Sequence, residues 1–110
     1  MDKDQRKRAA QAYKLAPTEY GVIQIQNRTN HKRFIAAVPN IKNRWTYYQM
    51  NLNANRYPNT ALQADWNATG ADNFDYSVLW KKDTEDVVNM RATLKALREK
   101  WTAKINPEYT

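Results

Sequence analysis

EYGVIQIQNRTNHKRFIAAV, residues 19–38, holds two runs rich in Val, Ile and Tyr, Glu19 to Gln26 and Lys32 to Val38. Between them stand five polar residues, Asn27, Arg28, Thr29, Asn30 and His31. Branched and aromatic side chains favour the extended, half-buried backbone of a strand, and Asn, Thr and Asn again favour a turn. The stretch therefore predicts a β-hairpin. Pro39 ends its second strand, because proline has no N–H for the ladder.

Downstream, Asn40 is a helix-capping residue type, and the apolar positions Ile41, Trp45, Tyr48 and Leu52 recur at helical spacing until Pro58. A second, short helix is expected from Asn59 or Thr60, carrying Leu62 and Trp66 and ending where Gly70 takes a left-handed conformation. Phe74, Tyr76, Val78 and Trp80 then alternate with Asp75, Ser77, Leu79 and Lys81, the pattern of a third strand with one strongly buried face. Asp83 or Thr84 is expected to cap the last helix, with Glu85 and Asp86 near the positive end of its dipole. Its stripe runs through Val87, Met90, Leu94, Leu97, Trp101 and Ile105, and Pro107 closes it. Upstream, Lys3 to Ala16 are helix formers with a weak apolar side that Pro17 stops. Residues 1–17 thus read as a basic helix or arm and residues 18–110 as one α+β domain, order α-β-β-α-α-β-α, with a three-stranded sheet flanked by helices.

Composition narrows the chemistry. There is no cysteine and one histidine among 110 residues, which excludes thiolate-held metals, a cysteine nucleophile and multi-histidine sites. Glycine occurs only at Gly21 and Gly70, too few for a glycine-rich phosphate loop. The longest apolar run, Phe34 to Val38, is strand length, and Ala9 to Lys14, after the charged Met1 to Arg8, are too polar for the core of a secretory leader, so a cytoplasmic chain with no membrane partner is expected. Eighteen Lys and Arg against eleven Asp and Glu leave +7, a balance that favours polyanions.

Five local patterns, in order, resemble the GIY-YIG nuclease family. Gly21-Val22-Ile23-Gln24-Ile25-Gln26-Asn27 is similar to the family's Gly-Ile-Tyr-x-Ile-x-Asn, and Asn30-His31-Lys32-Arg33-Phe34-Ile35-Ala36 to its Asn-Gly-Lys-x-Tyr-Ile-Gly. Asn40 to Trp45 resembles the helix that carries the family's arginine. Leu62-Gln63-Ala64-Asp65-Trp66-Asn67 with Gly70 to Phe74, and the ending from Trp101 to Tyr109, resemble the segments around the family's third strand and its tail. The resemblance implies a small three-stranded α+β fold that cuts phosphodiesters. It implies one divalent cation on a glutamate of the last helix, a tyrosine acting on water, an arginine on the phosphate and supporting tyrosine or histidine groups.

This chain departs from that set. The first motif tyrosine is Ile23, which carries no proton; the second is Phe34, which lacks the hydroxyl; and the motif glycine is Ala36. Arg44 keeps the arginine, and Tyr48 stands four residues later where the family has His or Tyr. The glutamate's place, three residues before Trp101, is Arg98. Its neighbour Glu99 is turned a further ~100° around the helix and is expected to point to solvent. The family's closing asparagine is Thr110.

The resulting reading is a nuclease-like fold whose cleavage activity is lost, with no cofactor, binding nucleic acid, DNA rather than RNA, through basic side chains. Those are Arg28, Lys32, Arg33, Lys42, Arg44 and Arg98, with residual catalytic positions at Arg44 and Tyr48. Two alternatives stand beside it. One is an active Mg2+- or Mn2+-dependent endonuclease rearranged around Tyr48 and Glu99. The other is a protein-interaction module using an apolar former active-site groove. The bland readings are that Tyr48 and the four tryptophans pack in the core, that His31 is a solvated turn residue, and that base stacking falls to Tyr47, Tyr57 or Tyr13.

Overall fold

The structure, a computed structural model, describes residues 18–109; the expected helix over Lys3 to Ala16, Tyr13 and Thr110 lie outside the described residues. The hairpin forms as expected, with β1 at Glu19–Asn27 and β2 at Arg33–Val38. Helix α1 spans Arg44–Asn53, α2 spans Ala61–Thr69, a single 3-10 turn covers Ala71–Asn73, β3 runs Phe74–Asp83 and α3 runs Met90–Ile105. The sheet is antiparallel with order β2-β1-β3, which leaves β2 at an edge.

One face of β1 carries Ile23 and Ile25, which with Val38, Phe74, Tyr48, Leu52, Leu62, Trp66 and Tyr109 form the main core under α1 and α2. Tyr20, Val22 and Ile35 are also buried but belong to the other face, where α3 lies. Helix α3 docks shallowly: none of its residues is fully buried, and Leu94, Leu97, Trp101 and Ile105 are each half-buried. Of the tryptophans only Trp66 is fully buried; Trp45, Trp80 and Trp101 are half-buried, against the expectation of four core rings.

Several expectations are corrected by long-range contacts. Strand β3 has an extra residue at Leu79, since Ile23 pairs with Val78 while Val22 pairs with Trp80. Such a bulge shifts the alternation, so Trp80 joins Tyr20 on the α3 side, ring centres 5.4 Å apart, instead of sharing a face with Tyr76. Beside it, a Cβ on Gly21 would lie 2.2 Å from the Trp80 carbonyl oxygen, so the close approach of β1 and β3 requires glycine.

The last helix starts at Met90, not near Asp83, because Asp83 is still paired with Glu19 in the sheet. Asn89 is the true cap, its Oδ1 accepting from Ala92 N–H at 3.0 Å, and Val87, Glu85 and Asp86 precede the helix. Asn40 does not cap α1 either. Its Oδ1 accepts from Lys42 N–H at 3.0 Å in a local turn, Ile41 N–H is tied to Glu19 O, and Asn43 at φ 58° leads into Arg44. Thr60 caps α2 as expected, accepting from Gln63 N–H at 3.2 Å. Gly70 ends that helix at φ 88°, ψ 161°, a region more exclusive to glycine than the left-handed helical one expected.

Candidate functional site

The positions that the sequence comparison singles out converge on the α1 side of the sheet. Ile23 is fully buried and sits directly across the β1–β2 ladder from Ala36, so two of the apolar replacements face each other. Phe34, on the edge strand, packs edge to face on Tyr48 with ring centres 5.7 Å apart. Tyr48 is 8% exposed, and burial, then the neighbouring Tyr57, push its hydroxyl up to about 12, with Arg44 acting in the opposite sense. A phenol held protonated that far up is no base at neutral pH.

Arg44 opens α1 one turn before Tyr48. Its guanidinium lies 4.8 Å over the centre of the Tyr47 ring, and its Nε donates to Asn40 O at 3.2 Å. It pairs with no carboxylate among the described residues. Trp45, the next residue, stacks on Tyr76 at 5.3 Å and 16°, and the Tyr76 hydroxyl is buried without a hydrogen-bond partner among the described residues. Beyond Tyr48 lies a cavity of about 150 Å3 lined by Phe34, Tyr48, Tyr57, Thr60 and Leu62. Burial and the adjacent Tyr47 raise the Tyr57 hydroxyl above its ordinary value.

Phe34 also borders a larger groove, about 520 Å3, between β2 and the flank of α3, where Ile35, Lys95, Arg98, Glu99 and Thr102 join it. Arg98 and Glu99 are both exposed there. Glu99 is thus open to solvent, as its helical angle suggested, while also lining this groove. Because α3 rests on its half-buried stripe without sinking into the sheet, the groove is wide enough for two successive positions. Among the described residues, no group of three His, Cys, Asp or Glu is placed to hold a metal ion.

The remaining basic positions are scattered. Arg28 is fastened to Asp75, Nη2 to Oδ1 at 2.6 Å and Nε at 2.9 Å, and reaches Asp72 O at 3.2 Å; its guanidinium holds the Asp75 carboxyl below the usual range. Arg33 spends its Nη2 on Ile105 O, 3.1 Å away at the end of α3, while its backbone N–H donates to Glu108 at 2.7 Å. Lys32 and Lys42 are exposed. Arg44 on α1 and Arg98 in the α3 groove have no carboxylate partner among the described residues, and Arg28, Lys32 and Arg33 lie at the hairpin turn.

One constellation has no counterpart in the sequence reading. Asn27 is 1% exposed, and its Oδ1 accepts from Thr29 N–H at 2.9 Å and Asn73 Nδ2 at 2.8 Å. Its Nδ2 donates to the Tyr109 hydroxyl at 3.1 Å, which in turn donates to Asp65 at 2.5 Å. With Tyr109 N–H on Arg33 O at 3.0 Å, this pins the tail along β2. The only signal in sequence is that both residues fall within the quoted motifs. His31, where the motif has glycine, adopts φ 61°, the conformation that makes glycine the usual choice there.

A solved structure of a variant catalytic domain of the intron endonuclease I-TevI superposes on this chain with a TM-score of 0.68. It is 21% identical, over 84% of this chain and 92% of that one. The fold is GIY-YIG-like. A second structure, the catalytic domain of the homing endonuclease I-TevI, gives a TM-score of 0.64 at 21% identity over 79% of this chain and 88% of that one. No protein-family model matches the chain, and no curated protein matches it either. At that identity the likeness is one of fold. In this fold Ile23, Phe34 and Ala36 stand on β1 and β2, and Arg44 and Tyr48 on α1. No described helix is long and apolar enough to cross a membrane.

Proposed function

We propose that this chain is an endonuclease-like domain that binds DNA through basic surface and does not cut it. The observation that carries the reading is a contrast on the two sides of Phe34. On the α1 side Ile23, Phe34 and Ala36 are apolar and Tyr48 is held protonated, yet Arg44 on α1 and Arg98 in the α3 groove that Phe34 borders have no carboxylate partner among the described residues. An arginine fork without an internal acid is suited to a phosphate, and the +7 balance draws a polyanion toward it. A divalent cation does not fit these residues. The carboxylate in the α3 groove, Glu99, shares it with Lys95 and Arg98, whose charges oppose an incoming cation.

Equilibrium binding of the full chain to a generic duplex across a salt series tests the binding half. Affinity is expected to fall linearly in log salt, by roughly 0.9 in slope for each phosphate contacted, and Arg44→Ala is expected to remove about one such contact. No binding at low salt overturns it. Incubation of plasmid DNA with Mg2+ or Mn2+ tests the other half, the expected result being uncut plasmid. One observation favours a second reading, a rearranged nuclease: Glu99 lines the groove next to the cleft. Metal-dependent cutting that disappears in both Arg44→Ala and Glu99→Gln would establish that reading and overturn ours.

A further inference from the structure

The cavity behind Arg44 is shaped for a ring. At about 150 Å3 it matches the volume in which a dry protein cavity takes up one six-membered ring. Three of its five lining residues, Phe34, Tyr48 and Tyr57, are aromatic. Phe34 and Tyr48 are held edge to face, so the pocket is set before anything enters it. The Thr60 hydroxyl is occupied, donating to Tyr57 O at 2.8 Å and accepting from Gln63 N–H at 3.2 Å, so Tyr48 and Tyr57 are the lining residues whose hydroxyls can meet a ring's polar edge.

A cation stands one ring away from the lining. Tyr47, 46% exposed, packs on Tyr48 with ring centres 5.4 Å apart, and the Arg44 guanidinium caps the Tyr47 ring at 4.8 Å. An apolar side chain from a partner would fill the cavity and leave Arg44 unused. A ligand that joins a flat ring to an anion uses both.

We infer that the cavity takes the base of one unpaired nucleotide of a DNA strand, a pyrimidine by its size, while the adjoining phosphate lies on Arg44. This rests on the DNA-binding reading above and adds its substrate class: single-stranded or locally opened DNA. In an intact duplex the base is stacked and paired, and inserting it carries the cost of extrusion. Stacking on aromatic rings is the sequence-tolerant means by which proteins hold single strands.

The test uses the full chain and four labelled ligands of equal length: oligo-dT, oligo-dA, a duplex and an abasic strand with the same phosphates. Oligo-dT is expected to bind most tightly, and the abasic strand to lose about 5-fold to 150-fold, the range for one lost base stack. Tyr57→Ala, if folded by circular dichroism, is expected to weaken oligo-dT by the same range without changing duplex binding, and Tyr57→Phe to keep oligo-dT binding. Equal affinity for oligo-dT and the abasic strand, which needs no variant, overturns the pocket while leaving DNA binding in place. So does oligo-dT binding that a folded Tyr57→Ala leaves intact. No binding to any of the four overturns the DNA-binding reading itself.

Discussion

Alkali reports whether Tyr48 is sealed into the cleft. In the folded chain its hydroxyl is pushed up to about 12, chiefly by burial, whereas in the unfolded chain it ionises near the ordinary 10.0. The folded pKa is the higher one, so the associated stability is fully present below pH 10 and is lost as pH rises from 10 to 12. Two pKa units correspond to about 2.7 kcal/mol in all, of which about 1.4 kcal/mol is gone by pH 11. The measurement is urea unfolding of the wild-type chain and of Tyr48→Phe from pH 8 to pH 11, their difference cancelling the titration of lysines and other tyrosines. The gap between the two is expected to move by about 1.4 kcal/mol against the wild type over that range. Tyrosinate absorbance, again as wild type minus variant, should show no Tyr48 ionisation near pH 10 in the folded protein. A gap that stays constant, or a Tyr48 midpoint near 10, would refute a closed cleft and restore the residue as a carrier of protons.

Two substitutions probe the frame that holds the site. Gly21→Ala places a Cβ 2.2 Å from Trp80 O and 3.0 Å from Lys81 Cα, both backbone, so β1 and β3 must part. Overpacking of this kind costs about 1–3 kcal/mol or more, and thermal unfolding is expected to shift down by roughly 4–8 °C for each kcal/mol; an unchanged midpoint would contradict the strand pairing described. Asn27→Ala removes three short hydrogen bonds, to Thr29 N–H, Asn73 Nδ2 and the Tyr109 hydroxyl, and a longer one from Asn30 N–H at 3.4 Å, at a buried position. At about 1 kcal/mol for each short bond, the expected loss is about 3 kcal/mol, with faster amide exchange at Tyr109, and a loss below 1 kcal/mol would show that the tail is held by other contacts.

What the sequence discloses and what it hides divide along the range of the interactions. The hairpin is local: its polar turn and its two β-rich runs are adjacent, and turn chemistry acts over a few residues. Thr60 caps α2 for the same reason, through a bond to Gln63 three residues on. The start of α3 is different. Asp83 and Thr84 are sound capping types, but pairing of Asp83 with Glu19, 64 positions away by numbering (83 − 19), holds the chain extended past them. The bulge at Leu79 is likewise silent in a strict alternation of side chains, and only Gly21 across the ladder hints that two backbones approach closely there.

The site follows the same division, with one reversal that concerns charge. That Ile23 and Phe34 have no hydroxyl is readable from residue type alone, and no packing lets a hydrocarbon carry a proton. Helical angle turns Glu99 to solvent, where it is found exposed, but does not disclose that α3 rests shallowly enough for that flank to line the groove beside β2. Net charge overstates the basic surface near the hairpin. Arg28 is answered by Asp75, Arg33 by the last carbonyl of α3 and Arg44, through Nε alone, by Asn40 O, so three of the six expected contacts have intramolecular partners. An exposed ion pair such as Arg28–Asp75, with side chains more than half exposed, is worth little in stability, so displacement there is cheap but brings an uncompensated Asp75 toward the ligand. Arg44 has no carboxylate competitor among the described residues, and with its ring contact to Tyr47 and its Nε on Asn40 O in place the Nη groups are left to donate to phosphate oxygens. Salt dependence should therefore respond more to Arg44→Ala than to Arg28→Ala, an ordering that counting charges along the sequence does not provide.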